Sequence, residues 1–151
     1  MAPGGLSGRK KRVSPFRLEV VTAEEELFAG DVDILIAPGR EGQLAILPHH
    51  APLLTQLGPG LLEIRTGGKA EELAVSGGFL EILGNRAVVL ADAAERAEDI
   101  DIDRAEAAMK RAQERVASHD SDVDLERALA QVARARTRVA VARKRRRPER
   151  V

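Results

Sequence analysis

The chain of 151 residues has no tryptophan and no tyrosine, and its aromatic side chains are Phe16, Phe28 and Phe79. Any folded core must therefore be built from aliphatic side chains. Cysteine is also absent, which excludes a disulfide framework, a thiolate nucleophile and a cysteine-based zinc site, and fits a reducing compartment. Three histidines make a poor metal set, and the adjacent His49 and His50 would point to opposite faces of a strand, so no metal site is expected. No run of about 18 apolar residues occurs, and the N-terminus lacks the apolar stretch of a secretion signal. These absences predict a protein made and kept inside the cell, holding one ordinary domain or a small domain with a helical appendage. Acids and bases balance at 24 each, but unevenly: from residue 134 onward nine Arg or Lys face the single acid Glu149, and a smaller basic cluster spans residues 9–12.

Residues 1–14 carry Gly, Ser and basic residues without periodicity and read as a disordered leader. From residue 15 the pattern becomes short apolar alternations punctuated by glycine. Phe16, Leu18 and Val20 alternate, as do Val32, Ile34 and Ile36, then Leu62 and Ile64, then Leu73 and Val75, before a denser run over residues 87–90. Gly67-Gly68 and Gly84-Asn85 suit tight hairpin turns, because glycine and asparagine tolerate positive φ, while Pro38-Gly39 and Pro59-Gly60 are expected to mark wider loops. Such closely spaced short strands imply an antiparallel sandwich or barrel over residues 15–97.

After Ala91 alanine and charged residues replace the β-branched alternation. Ala105, Ala108, Met109, Ala112 and Val116 recur at helical spacing and predict a first amphipathic helix over residues 101–117. A polar loop over residues 118–122 offers capping side chains. A second helix follows to about residue 145, with Leu125, Leu129, Val132, Ala133, Arg136, Val139 and Ala140 as its expected stripe, and Pro148 bars further continuation. Two helices joined so closely form an antiparallel hairpin, here over residues 98–145 with a basic tail at 146–151. Alanine-rich faces bury little area, so the hairpin is expected to be weakly held and able to move.

The motifs FRLEVVTAEEELFAGDVD, GQLAILPHHAPL, LAVSGGFLEI and, above all, DAAERAEDIDIDRAEAA resemble, in order and wording, the epsilon subunit of bacterial rotary (F-type) ATP synthases. The resemblance runs over about residues 16–143. It implies a flattened antiparallel β-sandwich followed by an α-helical hairpin, in a non-catalytic central-stalk subunit peripheral to the cytoplasmic face of the cell membrane. It further implies that the sandwich docks on the gamma subunit and the c-ring. The hairpin would fold down on the sandwich or extend toward the catalytic alpha and beta subunits and inhibit ATP hydrolysis. His49 stands where the family usually has glycine, at a place where positive φ would be tolerated by histidine better than by most residues.

Some members of that family bind ATP through a motif read Ile/Leu-Asp-x-x-Arg-Ala, which Ile100, Asp101, Arg104 and Ala105 match; Glu95, Arg111, Arg134 and Arg138 match further nucleotide-contacting positions. Arg104 and Arg111 are seven residues apart, and Arg134 and Arg138 four apart, so each pair shares a helical face. Guanidinium groups suit phosphate by geometry and permanent charge, and Asp101 and Glu95 could accept bonds from an adenine amino group or order the arginines. The plainer reading is surface pairing of Asp101 with Arg104 and of Glu114 with Arg111. ATP would be a regulatory ligand, since no glycine-rich phosphate loop of the hydrolysing type is present, and no obligatory cofactor is expected.

The resemblance further implies that basic residues of the second helix meet an acidic segment of the catalytic beta subunit, so its basic face, with Arg136, Arg143, Lys144 and Arg145, is the expected inhibitory contact. The rival is an adaptor whose basic tail binds nucleic acid or anionic membrane. The tail has no aromatic residues for base stacking, so no nucleic-acid partner is expected. Ser118, His119 and Asp120 are consecutive and cannot form a catalytic triad by adjacency, and no catalytic residue is expected.

Overall fold

The computed structural model describes residues 14–118 and 124–146. The expected leader up to residue 13, the polar loop from residue 119 to 123 and the tail beyond 146 lie outside the described residues. Eight strands come first: β1 (Phe16–Val21), β2 (Glu26–Val32), β3 (Ile34–Gly39), β4 (Gly42–Ile46), β5 (Leu53–Thr66), β6 (Lys69–Leu83), β7 (Arg86–Ala91) and β8 (Ala94–Arg96). A 3-10 turn (Ala97–Asp99) leads into helices α1 (Ile102–Ala117) and α2 (Leu125–Arg146).

The strands are hydrogen-bonded in the order β2-β1-β7-β6-β5-β3-β4, with β8 on β6. All neighbours are antiparallel except β1 and β7, which run parallel. The two long strands pair without a break in register, from Leu53 opposite Ile82 to Thr66 opposite Lys69. β7 pairs with residues 78–83 of β6, whereas β8 pairs with residues 73–75. The long hairpin thus passes through two layers, one completed by β1, β2 and β7 and the other by β3, β4 and β8. Leu18, Val20, Leu35, Ile46, Leu62, Ile64, Leu73, Leu80 and Val89 from both layers fill the aliphatic core between them.

Three details depart from the alternation read off the sequence. Val32 is buried, but Leu35 and Ala37 are the buried residues of β3, and Ile34 and Ile36 are only half-buried. The chain steps from one layer to the other at Asp33, whose N–H donates to the Arg65 carbonyl (2.9 Å) and whose carboxylate accepts from the Gly67 N–H (2.8 Å). That step inverts which parity faces inward. Pro59-Gly60 is not a loop but lies inside β5, where the strand crosses between layers and Pro38 packs against Gly60 with no room for a side chain. Pro38-Gly39 ends β3 just before the tight turn into β4.

The expected turns are present: Gly67 and Gly68, and Gly84 and Asn85, all have positive φ. Gly78 has φ 127°, and a Cβ there would lie 2.0 Å from the Leu90 carbonyl oxygen. Close approach of β7 therefore explains Gly78, while Gly77, with φ 97°, leaves room for the Asp92 carboxylate, 2.9 Å from where a Cβ would stand. His49 adopts φ 61° and its N–H donates to Asn85 Oδ1 (2.8 Å), so both histidines sit on the turn between β4 and β5 rather than in a strand.

Candidate functional site

The hairpin lies on the outer face of the layer that contains β8. Asp101 caps α1, its Oδ1 accepting from the Arg104 N–H (3.1 Å), a contact that satisfies one of the free donors of a helix start. Ile102, Ala105 and Ala112 are the buried residues of α1. On α2 the buried positions are Ala128, Ala135, Val139, Val141 and Ala142. The expected α2 stripe is corrected: Leu125 and Leu129 are exposed, as are Arg136 and Ala140, while Val132 and Ala133 are half-buried. Alanines seven apart, at 105 and 112 on one helix and 128, 135 and 142 on the other, form the inward rows, a spacing that keeps one face turned to the partner helix. Ala74, Ala97, Ile100, Ile102, Ala105, Val139, Val141 and Ala142 make a second small core between hairpin and sheet.

This packing sets the candidate residues around two adjoining cavities. The first, about 510 Å³, is lined on the sheet side by Ser76 and Glu95 and on the helices by Arg111, Arg134 and Arg138. The second, about 540 Å³, is lined by Glu95, Asp99, Asp101, Arg104, Arg111 and Arg138. The boundary they share is an ion pair. Arg138 Nε and Nη2 donate to the two oxygens of Glu95 at 2.8 and 3.2 Å, both side chains about one-third exposed. Arg104, Arg111 and Arg134 are exposed and make no ion pair among the described residues. Glu114 is not paired with Arg111, and Asp101 meets the Arg104 backbone rather than its guanidinium. Ile100 and Ala105 line neither cavity; both are buried in the small core and position the helix start.

The four cations expected on one inhibitory face do not share one. Arg143 donates to Glu106 of α1 (2.8 and 3.2 Å), Lys144 meets Glu72 (2.7 Å) and Glu63 (3.5 Å) of the sheet, and Arg145 is exposed. Consecutive helical residues fan out by about 100°, so three in a row address the partner helix, the sheet and the solvent in turn. Arg136 and Arg145 make no ion pair among the described residues.

A feature absent from the sequence reading is the apolar outer face of the other layer, where Leu54, Phe79, Leu83 and Leu90 are 45% to 68% exposed. Phe79 and Leu90 are direct cross-strand neighbours. The alternation of buried Leu80 and Ile82 in β6 carried this signal, since it turns Phe79 and Leu83 outward.

A two-layer sandwich with a lightly packed helical hairpin, and paired cavities beneath that hairpin, defines a class, and comparison with known proteins names it. Residues 15–97 match the beta-sandwich domain, and residues 98–143 the long alpha-helix domain, of the ATP synthase delta/epsilon chain. The chain belongs to the ATP synthase delta/epsilon chain family. It is 54% identical over 101 residues to the ATP synthase epsilon chain of Pelotomaculum thermopropionicum, covering 67% of this chain and 75% of that one. It is 51% identical over 105 residues to that of Desulforamulus reducens, covering 70% and 80%. Among solved structures, a chain of the Euglena gracilis mitochondrial ATP synthase superposes with a TM-score of 0.76 at 22% identity, over 93% of this chain and 89% of that one. One from the Tetrahymena thermophila mitochondrial ATP synthase superposes with a TM-score of 0.58 at 17% identity, over 85% and 94%. These two likenesses support the fold. Within the family the chain is of the epsilon type, a non-catalytic subunit of the ATP synthase.

Proposed function

We propose that this subunit couples and regulates the rotor through two positions of its hairpin: down on the sheet with ATP bound, and extended against the catalytic alpha and beta subunits, where it inhibits hydrolysis. The observation that carries the ATP reading is the pair of cavities under the docked hairpin. Around them Arg104, Arg111 and Arg134 have no ion-pair partner among the described residues, and Arg138 is held by Glu95. Guanidinium groups converging from two helices suit a polyphosphate, and Glu95 and Asp101 offer acceptors to a base or ribose. ATP acts as a signal that shifts the hairpin by its preference for the down state. The apolar face of Leu54, Phe79, Leu83 and Leu90 supports docking on the gamma subunit and c-ring, with the subunit then peripheral to the cytoplasmic face of the cell membrane.

Of the expected inhibitory cations, Arg136 and Arg145 have no ion pair among the described residues in the down state, so an acidic surface can engage either of them without breaking a contact. ATP titration of the purified chain, followed by backbone amide signals, is expected to shift residues on β8, α1 and α2 together. Arg104→Ala and Arg111→Ala should each weaken binding by about 1.5–3 kcal/mol, the scale of a charge-assisted hydrogen bond. A wild-type titration that moves no signal at these elements removes the ATP reading.

A further inference from the structure

Glu63 is the buried charged residue among those described, 8% exposed on the outer face of β5 beneath the end of α2. Its neighbours Leu62 and Ile64 belong to the sandwich core. A carboxylate so covered is tolerated when it is paired, and it has two cations: Arg65 of its own strand and Lys144 at 3.5 Å. Lys144 also donates to Glu72 on the neighbouring strand at 2.7 Å. We infer that Lys144, seated between Glu72 and Glu63, is an electrostatic latch that holds the hairpin down without any ligand, and so opposes the extended state instead of serving it.

Two clamps fasten α2 to the sheet layer, and they differ in kind. Arg138 on Glu95 borders both cavities, so a bound anion can take over the guanidinium. Lys144 lies further along α2 and lines neither cavity. Its contacts therefore persist with or without a ligand, and extension of the hairpin must break both of them while rehydrating Glu63. Burial pushes the Glu63 carboxyl up, but the hydrogen bond and charge of Arg65, with the charge and bond of Lys144, hold it below its usual value. Glu72, chiefly through its hydrogen bond, raises Lys144 against the opposing effect of burial. Each group thus favours the charged form of its partner, as a latch requires.

The latch itself stands on this geometry; the sign of its effect on hydrolysis rests on the proposed inhibitory role of the extended hairpin. The test is backbone hydrogen–deuterium exchange of the purified full chain at low and high salt. Lys144→Gln should raise exchange in the last two turns of α2 about twofold to fivefold at low salt and flatten its salt dependence. Amides of β1 and β7 should be unchanged, as for an intact sandwich, and Arg136→Gln with Arg145→Gln should leave the α2 exchange as it was. Lys144→Arg, which keeps the charge, should keep protection. Equal exchange in Lys144→Gln and wild type, or the same loosening in Lys144→Arg as in Lys144→Gln, overturns the latch. In the assembled synthase Lys144→Gln should lower ATP hydrolysis and Arg136→Gln with Arg145→Gln should raise it. A rise with Lys144→Gln overturns the inference; no response to the arginine pair overturns the inhibitory reading and leaves the exchange result standing.

Discussion

The sandwich core is aliphatic but for Phe16 and the hairpin core is wholly so, yet they are held in different ways. Between the two layers, buried Leu, Ile and Val side chains from seven strands interlock. Between hairpin and sheet half of the buried residues are Ala, with Ile100, Ile102, Val139 and Val141 the larger ones, and the remaining contacts include the ion pairs of Arg138 and Lys144. Apolar burial contributes about 25 cal/mol per Å², so a face of methyl groups gives little per residue, and exposed ion pairs give about 0–1 kcal/mol each. The same chain therefore carries one heavily packed body and another that is lightly packed.

Substitutions in the two regions should separate them. Leu18→Ala removes a fully buried core side chain and should cost about 2–5 kcal/mol, read as an earlier midpoint of urea unfolding followed by sheet circular dichroism. Ala105→Leu puts a large side chain at a fully buried alanine of the hairpin, an overpacking worth about 1–3 kcal/mol. It should free the hairpin to exchange rapidly while the sandwich keeps its unfolding midpoint; a lowered sandwich midpoint would mean the two regions are one cooperative unit. Asp101→Ala deletes the α1 cap and should loosen the first turn of that helix by about 1 kcal/mol, visible as faster exchange confined to its N-terminus.

The smallest effect is that of pH on docking. Facing the latch are Glu63 and Arg65 of β5, Glu72 of β6 and Lys144 of α2. Glu63 has a lowered pKa, so its contribution is complete above the usual 4.5 and is lost as pH falls through the lower folded value. Lys144 has a raised pKa, so its contribution is complete below the usual 10.5 and is lost as pH rises through the higher folded value. Hairpin docking, followed by energy transfer between dyes on α2 and β2, should be flat across neutrality and fall at both extremes. With Lys144→Gln the alkaline fall should vanish.

Strands and turns were legible because their signals are local: alternation over a few residues, and Gly67-Gly68 or Gly84-Asn85 at positions that need positive φ. The step at Asp33 was not, because nothing within β2 or β3 announces that the chain changes layers there. Large side chains also misled. Leu125 and Leu129 drew the helical stripe toward themselves, whereas the interface selects alanines seven apart, whose small size permits close approach. For the site, family resemblance brought together Glu95, Arg104, Arg111, Arg134 and Arg138, and all five line the cavities. The same motif includes Ile100 and Ala105, whose place is in the small core. Glu63, in contrast, reads as an ordinary outward strand residue until the end of α2 is seen to cover it.

The shared register of β5 and β6 through both layers, interrupted at Gly58 and Gly77, has a mechanical consequence. In a sandwich made of two separate sheets, a sideways load on one face is resisted only by side chains sliding past side chains. Here the two long strands belong to both faces, so the same load also strains their covalent backbone and the hydrogen bonds on either side of the crossing. The face carrying Phe79 and Leu90 and the face under the hairpin are thus joined by backbone as well as by side-chain packing.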